Sequence, residues 1–453
     1  MVTNRMGRVA PTIVAALLAT SLVGCGAATK EAPAESAETA EAAVSQETIE
    51  ETEASLEEAT QDGGREEVSE DATTSRAFVT TSLDSIVSDG AIDTTDLFSE
   101  RDLQQDADLS DAVHLTVESG QDLVITEEGT YVLSGTAEGA TVTVNVDSAE
   151  KVQLVLDGLS ITNVDFPAIY VISADKVFVT TTEGSQNVLS VTGTFAADGD
   201  TNTDAVIFSK DDLVLNGLGT LTISSTDNGI TSKDDLKVTG GTLAITSEGD
   251  ALEANDSIRI AGGTLDITTS KDGLHAENDE DDTLGYVYVC GGTISIEAGD
   301  DGIQGTTVVQ IDGGTIAVNA GEAIEGTYVQ VNGGDLNLSA WDDGINASWK
   351  SQSVGDPTID IRGGSIAIAM AQGDTDALDS NGYLYVSGGT VDITAQFAFD
   401  FEYDAEYTGG TIYVNGQQVS EITESMMMGG PGGGMMSGGP GGGPGGGMGP
   451  GGW

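Results

Sequence analysis

A pair of adjacent glycines that recurs at a nearly fixed interval constrains the fold more than any other feature of the sequence. Between residues 240 and 410, eight Gly-Gly pairs begin at residues 240, 262, 291, 313, 333, 363, 388 and 409, with 20 to 22 residues as the shortest interval. An alternating apolar strand follows each pair, such as Leu243 and Ile245, and a second short strand precedes it. So short a unit cannot bury its own apolar face, but units stacked about 4.8 Å apart share a continuous core. The sequence therefore predicts an all-β fold, a right-handed parallel β-helix of roughly 20–22 residues per coil over residues 113–420.

The composition excludes several classes of function. The 453 residues include 75 Asp and Glu against 15 Lys and Arg, a formal net charge of −60. Such a surface repels phosphate backbones, so nucleic acid is not expected as a partner. With two cysteines and two histidines, the chain cannot assemble a zinc site of the usual thiolate or imidazole ligand count. Any bound metal must be held by oxygen atoms.

The N-terminal end of the chain is predicted to direct export and to anchor the protein to a membrane. Residues 1–24 have a basic start and an apolar run too short to span a bilayer, which is typical of an export signal. Leu22-Val23-Gly24-Cys25 resembles the bacterial lipobox, which implies lipidation of Cys25 and an extracytoplasmic, lipid-anchored location at the cell membrane or surface. Residues 25–80 are predicted to be a disordered acidic linker, 81–112 a linker or N-terminal cap, and 421–453 a disordered tail rich in Gly, Met and Pro.

A second repeated element carries acidic residues. A turn of the form Asp-Gly or Asp-Ala, followed by Ile or Leu, recurs in most coils and should place carboxylates one above another. The turn residues align as Asp204, Asn228, Asp250, Asp272, Asp301, Glu322, Asp343 and Asp376, with further acids such as Asp227, Asp300, Glu253, Glu325 and Asp379 beside them. Carboxylates about 5 Å apart raise one another's pKa or recruit cations. Because clustered oxygen ligands suit Ca²⁺, calcium sites between coils are predicted, and ordinary structural turns are the alternative.

The candidate site residues follow from this pattern. The predicted metal ligands are Asp227, Asp250, Glu253, Asp272, Asp300, Asp301, Glu322, Asp343, Asp376 and Asp379. Trp341 and Trp349 bracket one acidic turn and are candidates for stacking on sugar rings. His275 is interpreted as a solvated residue on a coil turn. The protein is expected to be a monomer.

Several stretches resemble a known family. KDGLHAENDEDDTLGYVYVCGGTISI at 271–296, GDDGIQGTTVVQIDGGTIAV at 299–318 and GDTDALDSNGYLYVSGGTVDI at 373–393 are similar to a bacterial carbohydrate-binding β-helix family related in fold to pectate lyases. The resemblance covers residues 113–416. It implies a calcium-binding β-helix that recognises acidic plant cell-wall sugars such as polygalacturonate, or cellulose, without established cleavage, and it assigns calcium-site roles to Asp272, Asp301 and Asp376.

Two other functions compete with a non-catalytic polysaccharide binder. A calcium-dependent polysaccharide lyase acting on uronates would need a basic residue near the metal, for which Lys271, Arg259 and Arg362 are candidates. An inverting polygalacturonase is less compatible, because Asp204 and Asp301 lie about four coils apart, or ~20 Å, whereas its carboxylates must lie about 6.5 to 9.5 Å apart. The last alternative is a rigid surface adhesin or spacer.

Overall fold

The protein is a parallel β-helix in which every coil contributes strands to three sheets. The computed structural model describes residues 92–373 and 375–424. No described helix is long and apolar enough to cross a membrane. The described residues form strands, turns and loops, so the predicted all-β solenoid is confirmed.

The first sheet contains the strands that precede the Gly-Gly turns. Its strands are Val113–Thr116, Gly129–Glu138, Lys151–Asn163, Lys176–Thr181, Asp212–Gly217, Asp235–Val238, Ser257–Ile260, Tyr286–Val289, Ile303–Ile311, Ile324–Val331, Thr358–Ile361, Tyr383–Val386 and Asp404–Tyr407. Each strand pairs in parallel with its counterpart in the next coil.

The second sheet contains the strands that follow these turns. It shares the long strands Gly129–Glu138 and Lys151–Asn163 with the first sheet. Its other strands are Gln186–Val191, Thr220–Ser224, Thr242–Ser247, Thr264–Thr269, Thr293–Glu297, Thr315–Ala320, Asp335–Ala340, Ser365–Met370, Thr390–Thr394 and Thr411–Val414, with Gln417–Val419 added antiparallel at the end.

The third sheet includes the strands that start at the acidic turns. It shares Ile303–Ile311 and Ile324–Val331 with the first sheet. Its other strands are Leu123–Ile125, Val142–Asn145, Ile169–Ser173, Ala205–Ser209, Asn228–Ser232, Leu252–Ala254, Leu274–Ala276, Ile345–Ala347, Asp376–Ser380 and Phe397–Phe401. In the coils from Ala205–Ser209 to Asp376–Ser380 an acidic turn therefore opens the strand, and the side chains at its start are held at a fixed spacing by the sheet.

One continuous apolar core fills the coils. The alternating residues of the second sheet point inward and stack on one another, as Leu243, Leu265 and Ile294 do in successive coils. The Gly-Gly turns have a structural role. A Cβ atom at Gly291 would lie 2.5 Å from the carbonyl oxygen of Ala261, and Gly292 has a φ of 95°. The first glycine thus permits close coil stacking, and the second permits the turn.

Residues 92–106 lie along the outer face of the first sheet. Asp102, whose side chain is almost fully buried, forms ion pairs with Lys176 at 3.4 Å and Lys237 at 3.8 Å. Further along, the Ile92 amide donates a hydrogen bond to Gln310 Oε1 at 2.8 Å. The segment covers the first sheet, so the acidic face described below belongs to a different side of the solenoid.

Candidate functional site

The acidic turn residues form a column that we call the acidic ladder: Asn228, Asp250, Asp272, Asp301, Glu322, Asp343 and Asp376. Much of the ladder is joined through its side chains. The amide of Asp272 donates to Asp250 Oδ1 at 3.1 Å, and the amide of Asp301 donates to Asp272 Oδ1 at 2.8 Å. An aspartate side chain is short enough to accept a hydrogen bond from the equivalent amide one coil away, so aspartate supports the turn as well as charging it.

Asp204 is displaced from this column. The register pairs Asn228 with Ala205 and Ile230 with Ile207, so the acidic turn at Asp204 contains one additional residue. The predicted alignment of Asp204 with Asn228 was therefore wrong by one position. The sequence could not reveal the shift, because both turns have the same Asp or Asn followed by a small residue.

A second column runs beside the ladder, three residues later in each coil. Glu253, His275, Gln304, Glu325, Asn346 and Asp379 occupy successive positions in the register of the third sheet. Among these, His275, Gln304 and Asn346 were not recognised as site residues from the sequence. The signal that could have identified them is their constant offset of three residues from the acidic turn.

His275 is a partly buried cation within the acidic columns and not the solvated turn residue that the sequence suggested. Its Nδ1 lies 3.1 Å from Asp250 Oδ2 and 3.6 Å from Asp272 Oδ2. Burial opposes protonation of the ring, but the hydrogen bond to Asp250 and the surrounding carboxylates raise the pKa of His275 to about 9. Although Asp250, Asp272 and His275 are close enough to share a metal ion, an imidazolium already supplies the positive charge there.

At the N-terminal end of the two columns, protein groups also neutralise the acidic side chains. Glu253 accepts hydrogen bonds from Asn228 Nδ2 at 2.6 Å, Thr231 Oγ1 at 2.9 Å and Lys233 Nζ at 3.2 Å. Asp227, also predicted as a ligand, is exposed, and burial together with the charge of Asp250 raises its pKa. Glu253 therefore has little capacity left for a metal ion.

The centre of the columns contains a cluster of three carboxylates that protein cations balance only in part. Asp301, Glu322 and Glu325 each bring an oxygen within 4.8 Å of the others, and we call them the central cluster. Gln304 Nε2 donates to Asp301 Oδ2 at 2.7 Å and to Glu325 Oε2 at 2.8 Å. Lys350 Nζ lies 2.6 Å from Glu325 Oε2. One ammonium group thus faces three acids.

The electrostatics of the central cluster reflect this imbalance. Burial and the neighbouring charge of Glu325 raise the pKa of Asp301 to about 9, and they raise that of Glu322 to about 8. Burial acts in the same direction on Glu325, but the hydrogen bond and charge of Lys350 lower its pKa overall. In the absence of an added cation, protons are expected to replace part of the missing positive charge.

The oxygen atoms at the central cluster suit a hard divalent cation. Asn346 Nδ2 donates to Glu322 Oε2 at 3.0 Å, whereas its buried Oδ1 has no hydrogen-bond partner among the described residues. Asp272, Asp300 and Asp301 form a second oxygen-only group that shares Asp301 with the cluster. Carboxylate and amide oxygens without a competing imidazole are the ligands that Ca²⁺ prefers.

The remaining predicted ligands lie at the C-terminal end of the columns. The Asp376 amide donates to Asp343 Oδ1 at 3.0 Å, which continues the ladder. Burial and the charges of Asp343 and Asp400 raise the pKa of Asp379 to about 7. These acids lie several coils from Asp250, so the ten predicted ligands do not form one site.

The two predicted tryptophans are half-exposed and lie near residues of the central cluster. Trp341 is 46% exposed and lies beside Gly321, and its amide donates to the Gly321 carbonyl at 3.2 Å. Trp349 is 48% exposed and lies between Ser348 and Lys350, whose side chains both donate to Glu325. Each predicted aromatic residue is thus adjacent to a residue that neighbours or contacts the central cluster.

The basic residues that were candidates for lyase chemistry do not converge on this cluster. Arg259 is buried on the first sheet, where Nη2 lies 2.8 Å from Asp235 Oδ2. Arg362 Nη2 lies 2.6 Å from Asp360 Oδ2 on the same sheet. Lys271 is exposed beside Asp272. The basic residue that contacts the cluster is Lys350, which was not considered from the sequence.

The fold is a parallel β-helix solenoid that carries a column of acidic residues and two half-exposed tryptophans. The chain belongs to the family of carbohydrate-binding domain-containing proteins, whose model matches residues 119–377. The family expected from the sequence motifs is therefore confirmed.

A carbohydrate-binding domain-containing protein of Acetivibrio thermocellus is 36% identical over 126 residues, which are 27% of this chain and 44% of that protein. The matched segment thus spans less than half of that relative. A solved structure described as the polysaccharide lyase-like protein from C. thermocellum, gadolinium derivative, is 24% identical with a TM-score of 0.42, covering 66% of this chain and 98% of that one.

Proposed function

We propose that this protein is a cell-surface lipoprotein whose β-helix binds polysaccharide in a calcium-dependent manner without cleaving it. The observation that carries this proposal is the three-carboxylate central cluster, with half-exposed Trp341 bonded to the backbone of Gly321, the residue before Glu322, and half-exposed Trp349 next to Lys350, which pairs with Glu325. Aromatic faces stack on the C–H surfaces of sugar rings, and oxygen clusters hold hard cations. The proposed ligand is an acidic plant cell-wall glycan such as polygalacturonate, and cellulose is the uncharged candidate.

The proposed calcium ligands are Asp301, Glu322 and Glu325, with Asn346 Oδ1 as an additional oxygen donor and with Asp272 and Asp300 at the adjoining group. A bound divalent ion would supply positive charge between these carboxylates and those of a uronate chain. Without it, an acidic protein surface and an acidic polysaccharide repel each other. The same argument does not apply to cellulose, whose binding would depend on the tryptophans.

Removal of the two indole rings tests the contact with sugar. In the variant carrying Trp341→Ala and Trp349→Ala, the dissociation constant for polygalacturonate is expected to rise by about tenfold to a hundredfold, since each lost stacking contact costs about 1 kcal/mol. Isothermal titration calorimetry in saturating calcium measures the change. Trp453, which lies outside the described residues, provides the matched control in Trp453→Ala. Unchanged affinity of the double variant would remove the tryptophans from the proposed site.

The basic group at the central cluster is unsuited to lyase chemistry. A lyase needs an unprotonated base to remove the proton beside the uronate carboxyl group. The hydrogen bond to Glu325 and its charge outweigh burial and raise the pKa of Lys350, so this amine is held in its protonated form. Incubation with polygalacturonate and calcium is therefore expected to give no rise in the absorbance of unsaturated product. Sustained product formation would favour the lyase.

The proposed anchoring concerns Cys25, which lies outside the described residues. The Leu22-Val23-Gly24-Cys25 motif supports cleavage before Cys25 and attachment of lipid to its sulfur. Mass spectrometry of the protein purified from bacterial membranes is expected to show a lipidated N-terminal cysteine. The Cys25→Ser variant should lose this modification and leave the membrane fraction. An unmodified cysteine in the membrane-derived protein would exclude the anchor.

A further inference from the structure

Lys350 occupies a position that connects the central cluster with the exposed surface. Its Nζ lies 2.6 Å from Glu325 Oε2, and its side chain is 29% exposed while that of Glu325 is 8% exposed. The backbone around it is fixed, because the amides of Lys350 and Ser351 both donate to Thr327 Oγ1, at 3.2 and 2.8 Å. The ammonium group can therefore move by side-chain rotation while its loop stays in place.

A divalent cation and this ammonium group compete for the same carboxylate. Glu325 is one of the three acids whose oxygens lie within 4.8 Å of one another, and Lys350 is the basic residue paired with it. Two cations on one carboxylate repel each other strongly in a partly buried site. Occupation of the cluster by a divalent ion should therefore weaken the Lys350 ion pair.

We propose that Lys350 is an internal counter-ion that a divalent cation displaces from Glu325, and that the displaced ammonium group then selects a carboxylated sugar. This inference rests on the proposed function of the central cluster. Trp349, the preceding residue, is half-exposed, so a ring stacked on it lies within the reach of the long Lys350 side chain. An uncharged glycan would gain nothing from the released charge.

A second lysine–glutamate ion pair, which involves Glu253 of the second column, serves as a matched control. Lys233 Nζ lies 3.2 Å from Glu253 Oε1, and the exposed fraction of its side chain is similar, at 32%. Glu253 also accepts hydrogen bonds from Asn228 and Thr231 and is not part of a three-carboxylate group among the described residues. Lys233→Met therefore removes a comparable ion pair without changing the competition at the central cluster.

The experiment compares wild type, Lys350→Met and Lys233→Met as full chains. Calcium affinity is measured by isothermal titration calorimetry, and affinities for polygalacturonate and fully methyl-esterified polygalacturonate are measured in saturating calcium. We expect Lys350→Met to bind calcium about fivefold more tightly, the size of effect typical of a partly exposed ion pair. Its affinity for polygalacturonate should fall about fivefold, and that for the esterified polymer should stay within twofold of wild type. Lys233→Met should stay within twofold throughout.

The outcomes separate this inference from the proposed function. If wild type binds no calcium, the proposed calcium dependence fails, and with it the premise of the exchange. If wild type binds calcium and polygalacturonate, two results would overturn the inference alone. One is that Lys350→Met binds calcium no more tightly than wild type. The other is that its affinities for polygalacturonate and for the esterified polymer change by the same factor. Lys350→Gln serves as a second variant, and circular dichroism melting in EDTA identifies any variant that does not fold.

Discussion

Binding of polygalacturonate is expected to fall at least a hundredfold when EDTA removes divalent cations. The chain has a formal net charge of −60, and residues 81–453 alone contain 60 acidic and 10 basic residues, a charge of −50. The central cluster adds buried carboxylates at the proposed contact. A hundredfold change corresponds to about 2.7 kcal/mol, which a few unscreened charge contacts supply.

The measurement is co-sedimentation or calorimetry with polygalacturonate in calcium, in EDTA, and in EDTA followed by excess calcium. Asp301→Asn with Glu322→Gln should reproduce the EDTA result in the presence of calcium. The control pair is Asp279→Asn with Glu280→Gln, which removes the same charge from exposed positions of the loop after His275. Retention of full affinity in EDTA would show that the polymer is held without a metal ion.

The cation-free protein is expected to lose thermal stability as the pH rises from about 5 to about 9. Burial raises the pKa of Asp301 to about 9, that of Glu322 to about 8 and that of Asp379 to about 7 in the folded chain. In the unfolded chain these groups ionise near pH 4. Folding therefore opposes their ionisation, and the stability present at low pH is lost as the pH rises through the folded values.

Protonated His275, with a pKa of about 9, acts in the same direction, because its ion pairs are lost as it deprotonates. We expect the melting temperature in EDTA to fall by about 10 °C between pH 5 and pH 9. Excess calcium should reduce this fall, since a bound cation favours the ionised carboxylates. Asp301→Asn should flatten the profile in EDTA. A wild-type melting temperature in EDTA that does not change with pH would contradict the raised pKa values of these buried groups.

Some features of the site could be predicted from the sequence because they repeat. The Gly-Gly interval predicts the coil, and the coil places Asp250, Asp272 and Asp301 in one column. These conclusions need only the rule that residues at equivalent positions of stacked coils are neighbours. Trp341 and Trp349 lie on either side of one acidic turn and its strand Ile345–Ala347, which follows from their positions in the sequence and not from the repeat.

Other features depend on contacts between residues that no repeat relates. The placement of Lys350 on Glu325 comes from a loop insertion after Ile345–Ala347, whose path the period does not predict. The coverage of the first sheet by residues 92–106 depends on a chain reversal that leaves no periodic signal. The extra residue at Asp204 changes the register by one position without changing the motif.

The sequence by itself determined the solenoid and the side on which the acids gather, because periodic burial of apolar residues allows one stacking, and its motifs resembled those of the carbohydrate-binding family. Only the tertiary structure decided which carboxylates are paired with a protein cation, as Asp250 is with His275 and Glu253 with Lys233, and which have no ion pair among the described residues, as Asp301 and Glu322. The physical reason is that charge compensation depends on distances of 3 to 4 Å between side chains, and these distances are set by individual turns and insertions.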